Sequence, residues 1–355
     1  MFGFWKGKIE MASKTRIKPK PKTWSLLGDV RRKPTPYEVV TSKFHTHFRR
    51  DPQPFEHAGM PLNGWYLQYR EGSPFQVEDW EQFRDPYKLT YRDYVAVQDE
   101  REVFVDKLID QHERGESARG LTPEWVATLE RLLVPLRFPL HILQMTGLYV
   151  GQMAPSSFIT NCANFQAADE MRRIQRVAYW TKVLANAHGD RLASTDAART
   201  SWEHDPLWQP AREALERLLI AYDWGESFAA LNLVIKPLLD TVFNVQLAAL
   251  AGENGDEFLR MLFTEFGEDS TRSQTWSAAL VQYCIERDPQ LADVLVGWIG
   301  QWQPLMLEAV SSLGQMFEKA PQSMAAVDLT EAVASAQHQH LQACGLRMPS
   351  GGHER

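Results

Sequence analysis

Cysteine is scarce: three residues in 355, at 162, 284 and 344, too far apart for a zinc-type pair. That excludes a disulfide-stapled scaffold and fits a reduced, cytoplasmic setting. Long apolar runs are missing as well. Stretches such as "LVGWIG" fall far short of a membrane span. The opening "MFGFWKGKIE" has no apolar core of the kind a signal peptide needs. Alternating β patterns are nearly absent, and no short-period repeat appears. A fourth absence bears on chemistry. None of the ten histidines has a carboxylate three residues before it, so the chain contains no Glu-x-x-His, the helical spacing by which one carboxylate and one imidazole share a metal.

What is present is an ordinary globular composition, 44% apolar and 23% charged, with 12 Trp and 17 Phe. The net charge of −7 conceals an asymmetry: residues 1–50 carry 13 Lys/Arg against 3 Asp/Glu, and the remainder 25 against 42. "KTRIKPKPKTW" alternates Lys and Pro, which forbids a regular helix and favours polyproline II. Residues 1–60 therefore read as an extended basic arm for subunit contact, with Trp24, Leu26, Leu27 and Tyr37 as candidate contacts. Met11 is an alternative start of translation. Helices are expected at 91–113, at 123–145 with bends at Pro135 and Pro139, and at 161–188, apolar almost all round. Further helices are expected at 208–250 with a kink at Pro237, and at 270–289, 290–319 and 324–344. The expected class is all-α, with residues 61–320 as the main bundle and 321–355 as a C-terminal helix and tail.

Two stretches carry the same Asp-x-x-Arg pattern, Asp169/Arg172 in "AADEMRR" and Asp269/Arg272 in "GEDSTRS", 100 residues apart. Laid over the di-iron pattern Asp-Glu-x-Arg-His, the ligand positions read Glu170 and Arg173, then Ser270 and Ser273. Arginine offers only donors and cannot ligate a cation. The residues thus read as a degenerate metal site, Asp169, Glu170, Arg172, Arg173, Asp269, Ser270, Arg272 and Ser273, in which Arg173 neutralises Asp169. No catalytic, cofactor or metal residue is expected in this chain. A competing reading makes it a di-iron oxidase with unusual donors drawn from Glu100, Glu130, His141, Glu170 and Glu226. Against it, His141 reads as a core histidine and Glu226 as a first-turn helix residue. A third reading, nucleic-acid binding through "KTRIKPKPK", lacks a recognition helix and sits poorly with an acidic body.

Several blocks in order, "KTWSLLGDVRRKPTPYEVV", "DPYKLTYRDYVAVQD", "PLRFPLHILQMTGLYVGQMAPSSFITNC", "FQAADEMRR", "AYDWGESFAALNLVIKP" and the region of Trp276 to Tyr283, resemble the β subunit of the hydroxylase component of bacterial multicomponent di-iron monooxygenases, especially the toluene, benzene and alkene branch. The resemblance implies a ferritin-like bundle with additional helices and a non-catalytic β chain. It implies α and γ partners in an (αβγ)2 hetero-hexamer, with the di-iron centre in α. An effector protein, a ferredoxin and a reductase drawing on NADH would complete the system. Neither nucleic acid nor membrane is implied as a partner.

Overall fold

In the computed structural model, residues 32–44 and 61–348 are described, and every regular element among them is helical. The principal helices are α1 (Pro36–Thr41), α2 (Pro61–Tyr66), α3 (Tyr91–Arg114), α4 (Pro123–Leu132), α5 (Arg137–Met153) and α6 (Ser157–His188). They continue with α7 (Thr195–His204), α8 (Gln209–Leu218), α9 (Trp224–Glu253), α10 (Glu257–Arg287), α11 (Leu291–Phe317) and α12 (Ala326–Ala343).

Local chemistry sets most of the starts. Thr90 and Asp93 form a reciprocal capping box on α3. Asp223 accepts from the amides of Gly225 and Glu226 at the head of α9, and Asp256 from that of Leu259 on α10. The Asp223 cap explains why the expected helix 208–250 is two helices. Glu226 does stand in the first turn of α9. The expected helix 123–145 is also two, broken at Leu133–Leu136 by Pro135, whose missing N–H leaves the Arg131 carbonyl free. That carbonyl accepts instead from Trp208 Nε1 at 2.8 Å.

The same device recurs at Pro237. Instead of a sharp kink, α9 loosens into π turns at Ala230–Ile235 and Thr241–Leu247. The carbonyls of Leu233 and Asn232 accept from Gln337 Nε2 at 3.2 Å and His340 Nε2 at 3.1 Å, both on α12. The C-terminal helix is therefore no appendage. Leu329, Val333 and Leu341 are buried in the same core as the rest. Helix α9 is the one described helix long and apolar enough to cross a membrane, and 83% of its apolar window is buried inside the fold.

α5 and α6 pack closely because Gly147 and Gly151 face Ala163, Asn164 and Ala167. A Cβ on Gly151 would stand 2.8 Å from Asn164 Oδ1, and one on Gly147 3.3 Å from the Ala167 Cβ. α6 departs from expectation. It buries Asp169, Glu170, Arg172 and Arg173 and leaves Ala168, Met171 and Gln175 exposed. Of the arm, residues 36–44 are helical rather than extended. Tyr37 is corrected as a contact candidate: it is buried in its own chain, packed on Phe158 and donating to Asp85. Trp24, Leu26 and Leu27 lie outside the described residues.

Candidate functional site

The residues singled out from the two Asp-x-x-Arg stretches converge. α6 and α10 exchange partners across their interface: Arg172 Nη1 reaches Asp269 at 2.8 Å, and Arg272 Nη2 reaches Asp169 at 2.6 Å and Asp269 at 2.7 Å. α3 closes this layer. Tyr94 Oη donates to Asp169 at 2.8 Å, and Gln98 Nε2 bridges Asp169 and Asp269 at 2.9 and 3.0 Å. Glu102 and Glu265 hold the outer side of Arg172.

Deeper lies a second layer that the sequence reading only half anticipated. Arg173 does not neutralise Asp169, whose oxygens are already taken by Arg272, Tyr94 and Gln98. It turns toward α9, donating to Glu170 at 3.0 Å, Asp240 at 2.7 Å and Asn244 at 3.1 Å. Lys236 Nζ bridges the same two carboxylates, 2.5 Å from Glu170 and 2.8 Å from Asp240. Asn244 Nδ2 donates to Ser270 Oγ at 2.8 Å, and Ser273 Oγ donates to the Asp269 carbonyl. Lys236, Asp240 and Asn244 went unnoticed from sequence. The available signal was Lys236-x-x-x-Asp240, an opposite pair at helical spacing inside an otherwise apolar stretch.

The electrostatics follow from this pairing. Two buried cations face two buried carboxylates, so the inner layer is neutral. Burial works against the Lys236 charge, yet Asp240 and Glu170 more than offset it and hold its pKa above the ordinary range. Asp240 is held below the carboxylate range, because Lys236 and Arg173 outweigh its burial. Asp169 is pushed up to about 7 by burial and by the Asp269 charge, which Arg272 and Tyr94 only partly offset.

Since the folded pKa of Asp169 exceeds its ordinary 3.8, the folded state binds that proton more tightly. Its contribution to stability is present at low pH and is lost as pH rises through 7. Wild-type thermal stability is accordingly expected to fall more steeply than that of Asp169→Asn between about pH 4 and 7. Parallel melting profiles for the two would contradict this.

The donors of the oxidase reading are not brought together. Glu100 and His141 are exposed, which corrects the expectation of a core histidine at 141. Glu130 pairs with Arg191, and Glu226 accepts from Trp302 Nε1 at 3.1 Å. Among the described residues, no group of three His, Cys, Asp or Glu is placed to hold a metal ion. Nor does the chemistry at Glu170 fit an iron pair. Both nearby carboxylates are occupied by cations, and positions 173, 270 and 273 offer a guanidinium and two hydroxyls.

A long-helix bundle with paired Asp-x-x-Arg helices, a π-distorted third helix and this charged seam defines a ferritin-like hydroxylase-type bundle. The chain belongs to the Methane/Phenol/Alkene Hydroxylase family, whose sequence profile it matches over residues 65–288. It is 39% identical over 285 residues to the toluene-4-monooxygenase system hydroxylase component subunit beta of Ectopseudomonas mendocina, covering 80% of this chain and 86% of that protein. It is 26% identical over 294 residues to the propane 2-monooxygenase hydroxylase component small subunit of Gordonia sp. (strain TY-5), covering 77% and 75%. A chain in the structure of toluene 4-monooxygenase with toluene bound in the resting active site superposes with a TM-score of 0.76 at 37% identity, over 84% of this chain and 98% of that one. A chain of xenon-pressurised phenol hydroxylase from Pseudomonas sp. OX1 shares the fold, with a TM-score of 0.76 at 20% identity, over 96% and 99%.

Proposed function

We propose that this chain is the β subunit of a monooxygenase hydroxylase. In this reading it is a non-catalytic scaffold for a larger, related subunit that activates O2 at a di-iron centre and oxidises an aromatic or alkene hydrocarbon. The observation that carries the non-catalytic role is the pair of cations, Arg173 and Lys236, seated on Glu170 and Asp240 inside the bundle. A hard dication entering beside these carboxylates would have to displace the two cations already paired with them, or sit against their positive charge. The similarity to hydroxylase beta and small subunits supports the subunit assignment.

The partners in this reading are α and γ chains in an (αβγ)2 assembly, served by an effector protein, a ferredoxin and an NADH-linked reductase. Substrate choice would rest with the α subunit's pocket. Residues 1–31, with their basic charge and Trp24, Leu26 and Leu27, remain the arm proposed to contact a partner. Native purification with iron measured on each polypeptide tests the assignment. Iron is expected on a co-purifying chain that carries two Glu-x-x-His motifs. Stoichiometric iron on this chain purified alone would overturn it.

A further inference from the structure

Beside the outer layer of the seam, α6, α10 and the segment leading into α3 line a small cavity. From α6 come Asn161, Gln166 and Asp169, from α10 Ser273 and Trp276, and from the segment before α3 Tyr87 and Leu89. Tyr87 is exposed and Asp169 fully buried, so the cavity runs from the surface to the seam.

Two polar atoms of this lining have no partner within the protein, Asn161 Oδ1 and Gln166 Nε2, on side chains that are each only 2% exposed. Neighbours fix how both amides are turned. Asn161 Nδ2 donates to the Leu89 carbonyl at 3.0 Å, and Gln166 Oε1 accepts from Trp276 Nε1 at 3.1 Å. One buried acceptor and one buried donor are therefore left over, and each costs free energy unless a ligand meets it. Water both donates and accepts, whereas a simple cation or anion answers only one of the two. The cavity leaves 20 Å³ to the centre of a water molecule, and a single water needs about 10–15 Å³ on that measure. Charge points the same way. Asp85 and Asp169 also line the space, with Arg272 as its cation, so an anion is repelled. A metal ion would have to compete with Arg272, which already lies 2.6 Å from Asp169.

We propose that this cavity is a hydration site: an ordered water bridges Asn161 Oδ1 and Gln166 Nε2 and carries the Asp169 proton to and from solvent. Asp169 Oδ2 accepts from Arg272 and keeps a second lone pair for such a water. On release, the carboxyl O–H bond breaks and an O–H bond forms on the water, which passes another of its protons outward past Tyr87. The water is thus regenerated, and Arg272 faces the carboxylate left behind. The other groups facing Asp169 are Tyr94 and Gln98 from α3 and Asp269 from α10, the last held by Arg172 as well. Across the cavity, Asp85 accepts from Tyr37, and burial keeps the Cys162 thiol neutral.

The test uses the full chain. Its crystals are expected to show a water about 2.7–3.2 Å from both Asn161 Oδ1 and Gln166 Nε2. Below pH 7, where Asp169 holds its proton, the carboxylic C=O infrared band lost in Asp169→Asn reports hydrogen–deuterium exchange at this group. Ser273→Val adds a methyl at the cavity wall in place of the water. Exchange must then wait on local opening and is expected to slow at least about tenfold. Thr271→Val is the matched control. Each substitution removes a hydroxyl that donates to the carbonyl four residues earlier, but Thr271 is exposed and away from the cavity. Should Ser273→Val misfold, Leu89→Phe narrows the half-buried mouth while sparing the backbone carbonyl that holds Asn161, and the same slowing is expected. A dry cavity or an ion in the wild-type crystals would overturn the proposal. So would exchange as fast in the folded variants as in wild type, or equal slowing in Thr271→Val.

Discussion

Lys236→Met is expected to destabilise the chain by about 3–5 kcal/mol, the usual cost of stripping one partner from a buried ion pair. The ammonium sits between Glu170 and Asp240, and all three side chains are 1–3% exposed. Methionine fills similar volume but leaves two carboxylates facing one guanidinium in a layer shielded from bulk solvent. Adding Asp240→Asn to the variant returns the layer to one anion and one cation, Glu170 and Arg173. The double variant should regain a substantial part of the loss, with a coupling of about 0.5–3 kcal/mol. Denaturant unfolding of the four proteins in a double-mutant cycle measures this. Additive losses, or a Lys236→Met protein as stable as wild type, would show that the layer is not electrostatically balanced as the distances indicate.

Arg173→His is the second large effect. The substitution rewrites the helix as Glu-x-x-His, the text of a metal-binding helix, and so separates sequence pattern from site. The expected result is no stoichiometric iron and a loss of about 3–5 kcal/mol. Arg173 donates to three side chains, Glu170, Asp240 and Asn244, which an imidazole cannot reproduce at those positions. Lys236 would remain on Glu170, and Ser270 and Ser273 still supply hydroxyls where a carboxylate and an imidazole are needed. Elemental analysis together with thermal melting checks both halves. Two irons per chain would contradict the account of the seam.

Much of the bundle was legible because its signals are local. Helical periodicity and capping residues are written within a few positions of each other, so α3, α6, α11 and α12 fall near their expected places, whereas α10 begins at Glu257 rather than at 270. The breaks were harder. Pro135 and Pro237 have the same local chemistry, but one ends a helix and the other is absorbed into π turns. The distant donors differ: Trp208 serves the first, and Gln337 with His340 the second. Tyr37 misled for a related reason. An apolar residue in a proline-rich arm reads as a contact for something else, and only the packed chain reveals Asp85 and Phe158 beneath it.

Residue types and their short-range spacing set the helical class and the two Asp-x-x-Arg helices. They also fixed the absence of any Glu-x-x-His. These are properties of residue type and short-range spacing, fixed before the chain folds. Which charges neutralise which was settled by packing. Arg173 meets Asp240 from 67 positions away, and Arg272 meets Asp169 from 103. Coulomb attraction in a buried site depends on distance through space and on the exclusion of water, and neither is encoded in position along the chain.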